Sequence, residues 1–416
     1  MAPNLILYAV PGFLILIAVE LIWARAKGLE YYRFTDSIND LSMGISQQIF
    51  DGLKFLLGLG MLTYVYEHHR LTELPASSPW TWIAAFLLFD LCYYWLHRMS
   101  HTLNILWAGH APHHQSEEYN LSVALRQGAF QGTLTLPFYL PLPLLGFPPL
   151  VFAVVGQINT IYQFWIHTRL IGRMGFLESF LNTPSHHRVH HGKNPRYLDR
   201  NHAGMFIIWD KLFGTFVPEE EEPVYGTVTP LRSWNPLWGQ VQYLVHLAHA
   251  GWRSPRWSDL IKVWFMPVGW TPQLGQPDVS QIDQTPTFRH KYETSVTTPW
   301  RIYVLIQFTL NFAVAVAFLM FKSKLPPAEV LLLAGLIFWN LTSVGALLEG
   351  RAWALPVESL RLVVLPLAVY YWLGPPVAAG LAVVHVLSLG SLWAWRTSLQ
   401  HPAGPLPDPV LQPLTV

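Results

Sequence analysis

Long apolar runs alternate with polar stretches along this chain, in a pattern that predicts membrane-crossing helices. The run from Asn4 to Ala24 is long enough to cross ~30 Å of hydrocarbon as a helix. No basic segment precedes it as in a cleavable signal, so it reads as a retained span. Arg25, Lys27 and Arg33 follow it, and the positive-inside rule puts that end in the cytoplasm. A second run, Ile45 to Tyr66, leads out to a polar loop at His68 to Ser78. A third, Trp80 to Leu96, returns inward and delivers His97 to the cytoplasmic edge. Apolar character continues from Gly132 to Ile166, but Pro137, Pro141, Pro143, Pro148 and Pro149 forbid one continuous helix. Two spans joined by a proline-rich turn are expected there, ending inside at His167.

Residues 168–298 are polar, carry the acidic run Glu219 to Glu222, and hold no run apolar enough to span. They predict a cytoplasmic cap. Four further helices are expected near 300–321, 328–348, 357–374 and 376–396, for about nine spans in all. The proline-rich tail from Pro402 is expected to be disordered. The resulting division is N-terminal spans and loop at 1–79, a histidine-bearing core at 80–230, and a cytoplasmic connecting region at 231–298. A C-terminal four-helix membrane region at 299–398 and a disordered tail at 399–416 complete it.

Composition agrees with a lipid environment. The 416 residues are 52% hydrophobic and only 12% charged, whereas soluble domains carry about a quarter charged residues. The net charge of +1 gives no basis for nucleic acid as a partner. The single cysteine, Cys92, excludes both a disulfide framework and a thiolate metal site.

Histidine usage supplies the chemistry. Ten of the 18 histidines fall between positions 97 and 191. His97 and His101 form HxxxH; His110, His113 and His114 form HxxHH; His187, His190 and His191 form a second HxxHH. Helical separations of three and four put side chains on one face, so each cluster can point two or three imidazoles at one place. Eight imidazoles exceed the three or four that a single zinc needs, and two metal ions are the economical reading. Imidazole alone does not choose among iron, zinc and copper.

Around these clusters, His167 follows Gln163 by four residues and can add a ninth ligand or a hydrogen bond from outside the ligand set. His186 would point ~100° off the ligand face of its helix, which suits a supporting role. His202 reads as a structural or pocket histidine. Glu117, Glu118 and Asn120 can hold ligand imidazoles in one tautomer, or else form a solvated acidic loop. Asn182 flanks the last cluster, and Ser185 is expected to cap the helix that carries it. Arg126 and Arg188 can meet a polar lipid head, and Arg188 can instead pair with a cap carboxylate. His68, His69, His246, His249, His290, His385 and His401 read as ordinary satisfied polar groups. The fold expected is therefore all-α, a polytopic membrane helical bundle with a cytoplasmic histidine-rich di-metal cap.

At YYWLHRMSH (93–101), NILWAGHAPHHQSEEYNLSVALRQ (104–127), YQFWIHT (162–168) and LNTPSHHRVHHGKN (181–194), the chain resembles the fatty acid hydroxylase and sterol desaturase superfamily. NHAGMFIIWDKLFGTF (201–216) extends the likeness, which within the superfamily is nearest to alkylglycerol monooxygenase. The resemblance implies a membrane oxidoreductase with two iron ions on the cytosolic side. It further implies O2 as oxidant and hydroxylation of the carbon beside an ether oxygen in a lipid. Zinc can replace iron during purification. Animal members use tetrahydrobiopterin as electron donor, but no pterin fingerprint is readable here. Thr102 stands where ether-cleaving members often carry an acidic residue. Sterol oxidation and fatty acyl hydroxylation are the alternatives within the superfamily. A metal-ion transporter is the rival from another class, although its ligands would lie within mid-membrane helices.

Overall fold

The structure, a computed structural model, describes residues 5–278, 282, 288–373 and 375–396; His401 and the proline-rich tail lie outside them. Among the described residues the chain is helical, and its only β pairing is isolated bridges such as Leu103 with Pro267. Helix α1 covers Leu5–Ala26, α2 Phe34–His69, α3 Pro79–Ser100, α4 Asn104–His114 and α5 Pro149–Trp165. The polar middle contributes α6 (Pro184–His190), α7 (Pro236–Trp252) and α8 (Asp259–Phe265). The C-terminal group is α9 (Thr298–Phe321), α10 (Pro327–Leu348), α11 (Ala354–Leu373) and α12 (Pro375–Ala394).

Three helices among the described residues are long and apolar enough to cross a membrane: α1, α9 with its extension to Lys324, and α10. The two arms of α2, Phe34–Leu53 and Gly58–His69, would make a fourth if they form one span. Helix α3 does not join them, and its Asp90 is one reason. That carboxylate is fully buried and accepts from the backbone N–H groups of Met205 and Phe206, from Trp209 Nε1 and from Asn159 Nδ2. Helix α2 begins eleven residues before the predicted run, because its polar first turns, with Asp36, Asn39 and Asp40 buried, face the polar middle of the protein rather than lipid.

The proline-rich hairpin has unequal arms. Its second arm is the continuous helix α5, but its first is only short helical turns at Gln131–Leu134, Leu136–Tyr139 and Pro141–Leu144. Each proline there lacks the N–H that would continue an i to i−4 ladder. The broken arm nevertheless travels far, from Gln131 beside His110 to Leu144, whose carbonyl accepts from Leu71 N in the loop after α2. Gly146 makes the turn at φ +90°, and a Cβ there would collide with the carbonyl of Thr72.

Three apolar clusters hold these parts together. Leu62, Ala85, Leu142, Val151 and Phe152 bind α2, α3, the broken arm and α5 into one unit. Ile45 and Ile49 of α2 pack with α9, α10, α11 and α12 in a second. Trp107, Ala108 and Ala111 of α4 meet Leu247 of α7 and Val263 of α8 in a third. Helix α7 is fixed at its start by Asn235, whose side chain accepts from the N–H groups of Leu237 and Trp238. The ends of α3, α4, α5 and α6 meet between these clusters, and that meeting point holds the histidines.

Candidate metal centre

Nine imidazoles converge in two adjoining groups. His97, His101, His110, His114 and His190 form one, and His113, His167, His187 and His191 the other; within each group the ligand-capable atoms all lie within 4.8 Å of one another. All nine are buried. The sequence pattern suggested that each cluster aims at one place, but the structure divides both HxxHH clusters. The i, i+4 pair His110 and His114 goes to the first group and His113 to the second. Reciprocally, His187 and His191 go to the second and His190 to the first. The groups touch where His114 stacks on His191, with ring centroids 4.4 Å apart.

The nitrogens face one another at distances that suit a shared cation. His97 Nε2 lies 2.9 Å from His110 Nε2, and His114 Nε2 lies 3.0 Å from the same atom. In the second group His113–His167, His167–His187 and His187–His191 are separated by 3.3, 3.0 and 3.2 Å between Nε2 atoms. Nitrogens bound at ~2.1 Å to one ion would sit ~3.0 Å apart in octahedral and ~3.4 Å in tetrahedral geometry.

The outer nitrogens settle the tautomers. Nδ1 of His97 lies 2.8 Å from the His202 carbonyl, Nδ1 of His113 2.7 Å from that of Arg126, and Nδ1 of His167 2.7 Å from that of Gln163. Nδ1 of His190 lies 2.9 Å from the Arg200 carbonyl. A carbonyl only accepts, so these four Nδ1 atoms carry protons and the neutral rings present bare Nε2 lone pairs inward. His113 and His167 thus oppose two lone pairs at 3.3 Å, which is repulsive without a cation between them. Protonation is no remedy. Burial drives the imidazole pKa of His110 and His167 down to about 4 and those of His113, His187, His190 and His191 well below the usual value. Neutral, converging imidazoles are the donor set that a transition metal takes.

A cavity reaches both groups. Trp107, Leu198, Val228 and Val268 form its apolar wall, Lys193 and Asp199 its polar one, and His101, His114, His190 and His191 its floor.

Several sequence expectations are corrected by these positions. Glu117, Glu118 and Asn120 hold no imidazole, because the chain turns away after His114. Glu117 and Glu118 pair with Arg33, Glu118 also with Lys291, and Asn120 bonds the Tyr31 carbonyl and the Ser122 hydroxyl. Asn182 likewise bonds no ring, its amide donating to the carbonyls of Ala203 and Gly204. Gln163 serves His167 through its backbone carbonyl, while its amide side chain donates to Asn159. His186 lies outside both groups, its ring edge-on to Phe216. His202 belongs to neither group either, yet its ring stands 5.3 Å from that of His101; neither of its nitrogens is hydrogen-bonded, and Nδ1 lies 3.8 Å from the Asp210 carboxylate. Ser185 donates to Glu178 from inside the first turn of α6, whose cap position is Thr183. Arg126 is fully buried against Asp40, Asn39 and Gln115, out of reach of a lipid head, whereas Arg188 takes the second role expected of it and forms a two-pronged pair with a carboxylate, that of Glu219.

The supporting atoms absent from the sequence reading are chiefly main-chain oxygens, those of Arg126, Arg200 and His202, which carry no side-chain signature. Gln131 and Asp199 also face rings of the first group, at His110 Nδ1 and His101 Nδ1, from positions outside the histidine clusters.

A fatty acid hydroxylase family model matches residues 82–215, a range that contains all nine imidazoles, and an alkylglycerol monooxygenase C-terminal domain model matches residues 300–384. No solved structure matches the chain. It is 41% identical over 362 residues to alkylglycerol monooxygenase of Xenopus tropicalis, covering 86% of this chain and 80% of that one. Identity to the Homo sapiens enzyme of that name is 40% over 364 residues, covering 86% and 81%, and to the Danio rerio enzyme 40% over 371 residues, covering 88% and 82%. With likeness of that extent running through both the histidine core and the C-terminal helices, the chain belongs to the alkylglycerol monooxygenase family.

Proposed function

We propose that this integral membrane protein is a di-iron monooxygenase that opens the ether bond of alkylglycerols. The observation that carries the reading is the pair of buried, neutral imidazole groups with lone pairs converging side by side. His97, His101, His110, His114 and His190 would hold one ion, and His113, His167, His187 and His191 the other. Bound iron supplies O2 activation, which redox-inert zinc cannot.

The balance of the reaction follows from the substrate. One oxygen atom enters the C–H bond of the carbon next to the ether oxygen, and the other leaves as water with two electrons and two protons from a donor. The hemiacetal then loses its C–O bond to give a fatty aldehyde and a free glycerol hydroxyl. A reduced pterin such as tetrahydrobiopterin is the donor proposed. The chain's own part is to bind and shield. Trp107, Leu198, Val228 and Val268, which line the small cavity beside His101, His114, His190 and His191, would shield the ions from bulk water. The topology proposed has nine passes, counting the broken arm as one, with the histidines on the side of Arg25, Lys27 and Arg33.

The test uses the purified full-length chain with an alkylglycerol, O2 and a reduced pterin. Release of fatty aldehyde that depends on all three is expected. Turnover of a sterol or an acyl lipid, with the alkylglycerol untouched, would move the activity elsewhere in the superfamily.

A further inference from the structure

Four consecutive residues, Asp199 to His202, reach three of the five imidazoles in the first group. The Asp199 carboxylate lies 3.3 Å from His101 Nδ1. The Arg200 carbonyl lies 2.9 Å from His190 Nδ1, and the His202 carbonyl 2.8 Å from His97 Nδ1. No residue of this loop bonds a ring of the second group among the described contacts.

The loop has an unusual backbone. Asp199 and Asn201, the residues just before each accepting carbonyl, both have φ of +55°. Left-handed backbone is uncommon away from glycine, and Asp and Asn are the side chains that tolerate it best. The conformation is held in place by buried groups. Asn201 donates to the His186 and Val217 carbonyls and accepts from Val217 N. Asp210 accepts from the N–H groups of His202 and Ala203.

We propose that the Asp199–His202 loop is the positioning element of the five-imidazole site, fixing the tautomers of His97, His101 and His190 and giving that site a carboxylate partner that the other lacks. This rests on the di-iron reading above. Each ring so held presents Nε2 inward, and the carboxylate makes His101 a more basic ligand. The two sites are therefore electronically unequal by construction, and the inequality traces to Asp199.

Asp199 is half-exposed, at 50%, so its replacement leaves no hole in the core. The experiment loads full-length wild type, Asp199→Asn and Asp199→Ala with 57Fe and measures iron per chain and the Mössbauer spectrum. Wild type is expected to give two quadrupole doublets of equal area. Asp199→Ala should weaken one site ~10–100-fold and lose one doublet, leaving the other unshifted. Asp199→Asn keeps an oxygen acceptor and a side chain suited to positive φ, so it should retain both irons while shifting the same doublet alone. Equal loss or shift of both doublets, or an Ala variant identical to wild type, would overturn the positioning role. Wild type that takes up no iron would instead sink the di-iron reading, and the loop's role with it.

Discussion

At the scale of single residues, the decisive feature is that nine buried rings are packed together, four of them with Nε2 lone pairs turned inward, and that Asp199 stands 3.3 Å from His101 Nδ1. Each ring then matters individually, since none can substitute for another's position. His113→Ala removes one of four imidazoles from the second group and leaves the Arg126 carbonyl without its donor. Bound iron should fall toward one per chain and aldehyde release should cease, while the variant still purifies from membranes; full activity would remove His113 from the ligand set. The spacing of these histidines was legible in the sequence because helical periodicity puts i, i+4 pairs on one face of a helix. Their partition into five and four was not, because it depends on how α4 and α6 bring their rings together in space, with His114 stacked on His191 and His113 against the same ring. Nor were the partners of Nδ1, since most are carbonyls. Glu117 and Asn120 mislead for the same reason: nearness along the chain says nothing about which way it turns after His114.

At the scale of elements, α1 shows how a lipid-facing helix is tied to the centre. Only three of its 22 residues are buried, yet Glu20 is one of them and accepts from Tyr32 Oη, Leu121 N and Thr168 Oγ1. Thr168 directly follows the ligand-group residue His167, so one carboxylate links the first helix to the loop after α5. Glu20→Ala would orphan three donors, those of the buried Leu121 and Thr168 and the half-buried Tyr32, at a cost of about 3 kcal/mol, and the melting temperature in detergent should fall accordingly. Glu20→Gln, which keeps an acceptor oxygen, should lose markedly less; equal losses would mean that the contact is not what anchors α1. A second close approach lies between Gly109 and Gly128, where an added Cβ at 128 would strike the Gly109 carbonyl. Gly128→Ala must push the 126–131 segment away from α4, carrying the Arg126 carbonyl and Gln131 with it. Reduced iron content at normal membrane insertion is expected, measured by elemental analysis of purified protein. The sequence announced the elements themselves through apolar runs and prolines, and misjudged those whose burial comes from protein rather than lipid. The early turns of α2 are polar because they pack on the loop after α4, where Ser116 bonds Asp36 and Ser122 bonds Asp40.

For the whole molecule, sidedness is the property on which the metal centre, the lipid path and the electron donor all depend. Helix α3 has 22 residues, a rise of ~33 Å, with the loop at 71–78 before its first turn and His97 and His101 at its last. Those two ends therefore lie about one hydrocarbon thickness apart. The α5 end repeats the arrangement, since the broken arm returns the chain from Gln131 beside His110 to the 71–74 loop before α5 brings it back to His167. The acidic run at 219–222, joined to the second histidine group through Glu219 and Arg188, must share the histidine side. Cys92, the single cysteine, is buried, so a reporter thiol can be added without background. Glu220→Cys and Ser77→Cys place one at an exposed position on each side. In sealed vesicles of known orientation, a membrane-impermeant maleimide should label Cys at 220 only when the cytoplasmic face is outward, and Cys at 77 only when it is inward. Labelling of both from the same face would mean that α3 does not cross the membrane, and the proposed nine-pass topology with the histidines on the cytoplasmic side would have to be given up.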